Sequence, residues 1–186
     1  MPRIAPLDPA QASGKAKTLL DGVKASIGAQ PNIFRTMVHS PAALEGFLNL
    51  SQGLAGGSFS AALREQIALV VAGENSCDYC ASAHTLVGQK NGVADDELAA
   101  NLAGNSNDDR TAAILTFARA IVEKRGFVSD AEVKSVREAG LSDGEVIELI
   151  AVVSANIFTN YFNHVVQTEI DFPVVSAGEE AARQAA

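Results

Sequence analysis

Apolar residues recur at intervals of three and four along most of the chain, the period of helices buried on one face. Leu19, Leu20, Val23 and Ile27 mark one such face across 12–27, and Leu63, Ile67, Val70 and Val71 mark another across 61–73. The punctuation between these stretches is equally regular. Gly28-Ala29-Gln30-Pro31-Asn32 breaks the first pattern, and Asn32 can cap a short helix over 32–38. Ser40-Pro41 ends that stretch and places proline in the first turn of a helix reaching about residue 54. After the Gly56-Gly57-Ser58 loop, Ser60 caps the 61–73 helix, and Asn75-Ser76 breaks the chain again. Ser76 is then the expected cap of a helix over 77–90, stopped at Asn91-Gly92. Shorter patterns predict helices over 95–102 and 108–124. Two capping boxes, Ser129 with Glu132 and Ser142 with Glu145, open helices reaching 138 and about 170. No stretch alternates as a strand does. The pattern predicts an all-α fold, a compact helical domain of antiparallel neighbours. It divides into an N-terminal extension with a helix (1–30), the helical domain proper (31–173), and a Gly/Glu/Ala-rich tail (174–186) expected to be flexible.

Composition narrows the functional classes. A chain of 186 residues has the size of one domain and buries a core without staples. Aromatic residues are 5% and Trp is absent, which suits close-packed Ala-rich helices. With 14 basic against 22 acidic residues, the net charge of −8 argues against nucleic acid and against an anionic membrane surface as partners. The first residues lack the apolar run of a signal peptide. The apolar cluster over 147–153 is interrupted by Glu148 and is short of the about 20 residues a membrane span needs. A cytoplasmic protein with reduced thiols is the expectation.

The chemistry concentrates in one word, Cys77-Asp78-Tyr79-Cys80-Ala81-Ser82-Ala83-His84, which holds both cysteines of the chain. On a helix, positions i, i+3 and i+7 share a face, so Cys77, Cys80 and His84 point the same way. Cα atoms three residues apart on a helix lie about 5 to 6 Å apart, within disulfide range. At a helix start, free N–H groups and the dipole favour a thiolate. Helix-end electrostatics alone would favour Cys77 as the thiolate, whereas nearness to His84 favours Cys80. Folding 61–73 back on 77–90 brings Glu65 to the same face, where it can orient His84 as the third member of a triad does. Two other readings of these residues stand beside this one. The cysteines can be a small buried pair, or Cys77, Cys80, His84 and Glu65 can be four zinc donors, although zinc cysteines in a CxxC usually sit on a turn.

Glu65 placed twelve residues before Cys77-x-x-Cys80-x-x-x-His84 resembles the AhpD-like alkylhydroperoxidase group of the carboxymuconolactone decarboxylase superfamily. The likeness extends over about residues 30–173. Pro31-Asn32-Ile33-Phe34, Ser40-Pro41-Ala42-Ala43-Leu44 and the Cys77–Cys80 word are similar to the peroxidase-related single-domain members. The resemblance implies an AhpD-like helical fold with the CxxC at the start of a central helix. It implies that Cys80 attacks the peroxide, that Cys77 resolves it as a disulfide, and that Glu65 and His84 relay protons. It also implies a dithiol reductant, either a lipoyl-bearing or a thioredoxin-like protein, and a homo-oligomer, trimer or hexamer. No cofactor is called for, because the two sulfurs hold the electron pair. Where the best-known members carry a second His before the second Cys, this chain has Tyr79, a poorer base near neutrality. Tyr79, Asn160 and His164 are the further candidates for a relay or pocket, the last two from a polar stripe with Asn156 and Asn163 on an otherwise apolar helix. A general disulfide oxidoreductase and a non-catalytic redox sensor or interaction protein are the alternatives. Lactone decarboxylation is not expected, since those members lack the CxxC.

Overall fold

The computed structural model describes residues 1–178, and among these it has one 3-10 turn at Pro9–Gln11, the nine α-helices named next and no strand. The helices are α1 (Gly14–Ile27), α2 (Asn32–Met37), α3 (Pro41–Ala55), α4 (Ala61–Glu74), α5 (Asp78–Lys90), α6 (Asp95–Leu102), α7 (Asp109–Glu123), α8 (Asp130–Glu138) and α9 (Asp143–Val166). The starts follow the expected chemistry. Ser40, Ser60 and Asp108 accept N–H bonds from the third residue of their helices, and Ser129 and Ser142 close full capping boxes.

Helix α4 is the centre of the molecule. It packs against α5, α6, α7 and α9, and Leu63 and every residue from Gln66 to Ala72 are buried. A stretch buried on all sides must be apolar all round, as Ile67–Ala72 is. Gly73 allows its closest approach: a Cβ there would stand 2.0 Å from the Leu102 carbonyl oxygen. On one side of α4, Ile67, Val70, Ile114, Leu115, Leu149 and Val153 form one apolar cluster. On the other, Leu20, Leu44, Leu69, Leu98 and Leu102 form a second, which also contains Cys77 and Cys80. The cysteines therefore belong to the core and not to a surface loop.

Four local departures from the sequence reading have physical causes. Ser76 adopts a left-handed backbone at φ 53°, so Cys77, not Ser76, is the N-cap of α5. Helix α9 stops at Val166, short of 170, because Gln167 turns left-handed at φ 55° and its N–H closes on the Asn163 carbonyl. The chain beyond it folds back over α5. There Val175 N–H donates to Ser82 Oγ at 2.9 Å, Ala177 N–H donates to Asp78 Oδ1 at 2.9 Å, and Ala177 is fully buried. The expected flexible tail is thus docked at least through residue 177, and 179–186 lie outside the described residues. Finally, α9 is 24 residues long and apolar enough by length and composition to cross a membrane, which the short cluster at 147–153 did not suggest. Its Val146, Leu149, Val152 and Val153 pack into the core, as in a central helix of a globular fold.

Candidate active site

The site forms where α5 begins, between α4 and α9. Cys77 is the N-cap and Cys80 the third residue of the helix, and His84 follows one turn later. Helices α4 and α5 pack as a hairpin, which brings Glu65 beside His84. Its Oε2 lies 2.6 Å from His84 Nδ1, a carboxylate–imidazole pair with side chains only 17% and 25% exposed. Burial pulls the imidazole toward neutrality, but Glu65 and the nearby Cys80 outweigh it, and the His84 pKa is raised. A protonated imidazole is the form such a pair favours.

The two sulfurs are buried, with Cys77 1% and Cys80 3% exposed, and both are free thiols. They do not titrate alike. Cys77 keeps its proton and offers it to the Cys80 sulfur, which raises the Cys77 pKa, and burial raises it further. Cys80 is held below the ordinary thiol range, first by that S–H donor, then by the charge of His84 and the side-chain amides of Asn163 and Asn160, against the penalty of burial. Position on the helix alone points to Cys77; the neighbours reverse that order.

Helix α9 supplies the amides. Asn163 Nδ2 donates to Cys80 Sγ at 3.3 Å, and the Thr159 hydroxyl oxygen lies 3.9 Å from the same sulfur. Asn160 is wholly buried, and its Oδ1 accepts from Asn75 Nδ2 at 2.9 Å. That bond fixes the orientation of the amide, and its own N–H₂ has no acceptor at full hydrogen-bond geometry among the described residues. Of the polar stripe seen in the sequence, Asn160 and Asn163 face the site. Asn156 bonds back to the Val152 carbonyl, and His164 is exposed beyond the site on the last turn of α9. Asn75 and Thr159 were not singled out in the sequence.

Tyr79 lies beside the cysteines, but its hydroxyl is engaged elsewhere. It donates to Asp171 Oδ1 at 2.9 Å and accepts the Ile33 N–H at 3.2 Å. Burial raises its pKa, so the phenol stays neutral. Its ring stacks edge-on against Phe172, with centroids 5.4 Å apart. Tyr79 thus ties the 31–33 turn and the returning C-terminal segment to α5.

Cys80, His84 and Glu65 open together on a cavity of about 220 Å³ whose other walls include Ile33, Phe34, Phe47 and Phe172. Among the described residues, no three His, Cys, Asp or Glu side chains converge as metal ligands. The arrangement can do thiol redox chemistry: a stabilised thiolate and an imidazole held by a carboxylate share one apolar chamber, and a second thiol lies three residues before the first on the same helix.

This all-helical fold is AhpD-like. Residues 41–124 match the carboxymuconolactone decarboxylase family. No curated protein matches the sequence. Among solved structures, it is similar to an alkylhydroperoxidase AhpD core, a peroxidase-related protein from Ralstonia eutropha JMP134, with 22% identity over 91% of this chain and 92% of that one and a TM-score of 0.80. A peroxidase-related protein from Silicibacter sp. TM1040 is similar at 20% identity over 89% and 91%, with a TM-score of 0.74. The debrominase Bmp8, in a complex with 2,3,4-tribromopyrrole, is similar at 19% identity over 97% and 96%, with a TM-score of 0.77.

Proposed function

We propose that the protein is a thiol-dependent peroxidase that reduces organic hydroperoxides through a Cys77–Cys80 dithiol/disulfide cycle. The observation that carries this reading is the Cys80 sulfur, which has the Asn163 amide on it and opens on the same apolar cavity as the His84–Glu65 pair. The Cys80 thiolate attacks one oxygen of the O–O bond. The bond breaks, the alkoxide takes a proton from His84 and leaves as alcohol, and Cys80 becomes a sulfenic acid. The Cys77 sulfur then attacks Cys80, hydroxide leaves as water with the proton Cys77 gives up, and the disulfide forms. A dithiol donor returns two electrons; a lipoyl-bearing or thioredoxin-like protein is the class of donor this cycle requires. The cycle suits a reducing compartment such as the cytoplasm. The protein works as a homo-oligomer, a reading supported by the apolar outward face of α9, where Ile147, Ile150, Phe158 and Tyr161 are exposed.

The test is peroxide-dependent loss of two thiols per chain in the reduced protein, followed by turnover with a dithiol donor. Cumene hydroperoxide is expected to oxidise the wild type and the Cys77→Ser variant and to leave Cys80→Ser unreacted. Wild-type thiols that survive excess hydroperoxide overturn the proposal. The aromatic walls of the cavity favour a second reading, reductive removal of bromine from a brominated ring by the same dithiol, as the likeness to Bmp8 suggests. Bromide release from 2,3,4-tribromopyrrole without hydroperoxide reactivity would select it.

A further inference from the structure

The Cys77–Cys80 pair lies between two separate recesses. The first is the apolar cavity already described, which has Cys80 in its wall and not Cys77. The second, of about 230 Å³, lies at the junction of α5 with the end of α9. Its wall includes Cys77, Ser76, Asn163, His164, Gln167 and Thr168, and not Cys80. Both sulfurs are almost fully buried, and each residue borders a different one of these two recesses. Tyr79 stands in both walls, and Asn163, in the wall of the second recess, has its amide on Cys80. The two chambers differ in chemistry: mostly apolar and aromatic walls around the His84–Glu65 pair in the first, and hydroxyl, amide and imidazole groups with the Asp78 carboxylate in the second.

A disulfide is cleaved by a thiolate that approaches along the S–S axis, behind the sulfur it attacks and opposite the one it expels. It expels the more acidic thiol faster. Cys80, with its amide donors and His84, is the better leaving group of the pair. Attack therefore falls on Cys77, and the recess that has Cys77 in its wall and not Cys80 is the one from which a thiolate meets it. Resting on the peroxidase reading, we infer that this second recess is the access site for the reducing agent, a slender dithiol, so that oxidant and reductant enter by different doors. One thiolate of the donor attacks Cys77 Sγ, the Cys77–Cys80 bond breaks, and Cys80 leaves as a thiolate. The donor's second thiolate attacks the donor sulfur now bound to Cys77, which releases Cys77 and carries the donor away as a cyclic disulfide. Two electrons pass from donor to protein. Of the donor's two thiol protons, one returns to Cys77 and the other goes to solvent. A chamber of this size admits a dithiol on a chain and not the face of a folded protein.

The two half-reactions are measured separately. The disulfide is formed with diamide, so the reductive arm reads whether or not peroxide is a substrate. Its reduction by dithiothreitol is timed against oxidation of the reduced protein by cumene hydroperoxide. His164→Trp and Thr168→Phe, which fill the second recess, are expected to lower the ratio of reduction rate to oxidation rate at least tenfold. Val87→Trp, at the first cavity, is expected to raise it at least tenfold. In the wild type, the mixed disulfide trapped by acid quench with 2-mercaptoethanol is expected on Cys77. An adduct on Cys80, or a ratio that moves the same way in all three variants, overturns the inference. Failure of the peroxidase reading shows separately, as absence of oxidation by hydroperoxide in the wild type.

Discussion

The acidity of Cys80 comes from its neighbours more than from its place on α5, and each neighbour can be removed singly. Asn163 donates directly to the sulfur, and a hydrogen bond to a charged group contributes about 1.5 to 3 kcal/mol. Cys80 is depressed in the folded protein, so its reactive thiolate persists as pH falls until the folded pKa is crossed. Asn163→Ala raises that pKa. Alkylation of Cys80 by iodoacetamide, followed by peptide mass spectrometry, is then expected to fall off at higher pH than in the wild type and to be roughly tenfold slower at pH 6. An unchanged profile would remove Asn163 from the thiolate's support. Glu65→Gln tests the other side. The raised His84 pKa keeps the imidazolium present as pH rises, and loss of the carboxylate lowers that pKa. The alkaline limb of the hydroperoxide rate profile is expected to move to lower pH. Cys77, Cys80, His84 and Glu65 were legible in the sequence because they lie within one hairpin, where helical spacing alone brings them together. The role of Asn163 was not, because 83 residues separate it from Cys80 and only the passage of α9 over α5 joins them.

At the scale of elements, the site depends on how closely α4 approaches its neighbours, and Gly73 is where that approach is tightest. A methyl group there meets the Leu102 backbone at 2.0 Å, so α4 or α6 must shift. Gly73→Ala is expected to destabilise the fold by about 3 kcal/mol and to lower the melting temperature by roughly 6 to 12 °C. Gly46 in the exposed part of α3 is the contrast, since a Cβ there meets nothing within 4 Å. Gly46→Ala is expected to stabilise by about 0.5 to 1 kcal/mol, read in the same thermal unfolding experiment. Helix positions were legible wherever a cap signals its own geometry, as at Ser40, Ser60, Ser129 and Ser142. Legibility failed where a residue adopts a backbone its type disfavours. Ser76 and Gln167 are left-handed without being glycine, and those two turns set the start of α5 and the end of α9. The docking of 174–177 was equally hidden. It rests on single bonds to Ser82 and Asp78 and on one buried alanine, with no periodic pattern to announce it.

Among the described residues, the outward side of α9 is an uncovered apolar face. Ile147, Ile150, Phe158 and Tyr161 lie on the outward side of α9, opposite the residues that fill the core, and all four are exposed. Their spacing follows the helical period, so they form one stripe roughly 21 Å long from first to last. Single exposed apolar residues are ordinary, but an aligned row on a 24-residue helix is the kind of surface that associates. Glu148, the carboxylate beside this row, is turned away from it and accepts the Ser58 and Phe59 N–H groups, so it places no free charge across the stripe. A second copy of the same helix offers a matching surface, and pairing about a two-fold axis would bury both rows at once. Light scattering on the wild type is therefore expected to give a multiple of the 19.3 kDa chain mass. Ile147→Glu combined with Ile150→Glu places four carboxylates at a two-fold seam and is expected to reduce the mass to that of one chain, with helical content unchanged by circular dichroism. A wild type that scatters as a single chain would show that the α9 face does not associate; a double variant that keeps the wild-type mass would move the interface to another surface.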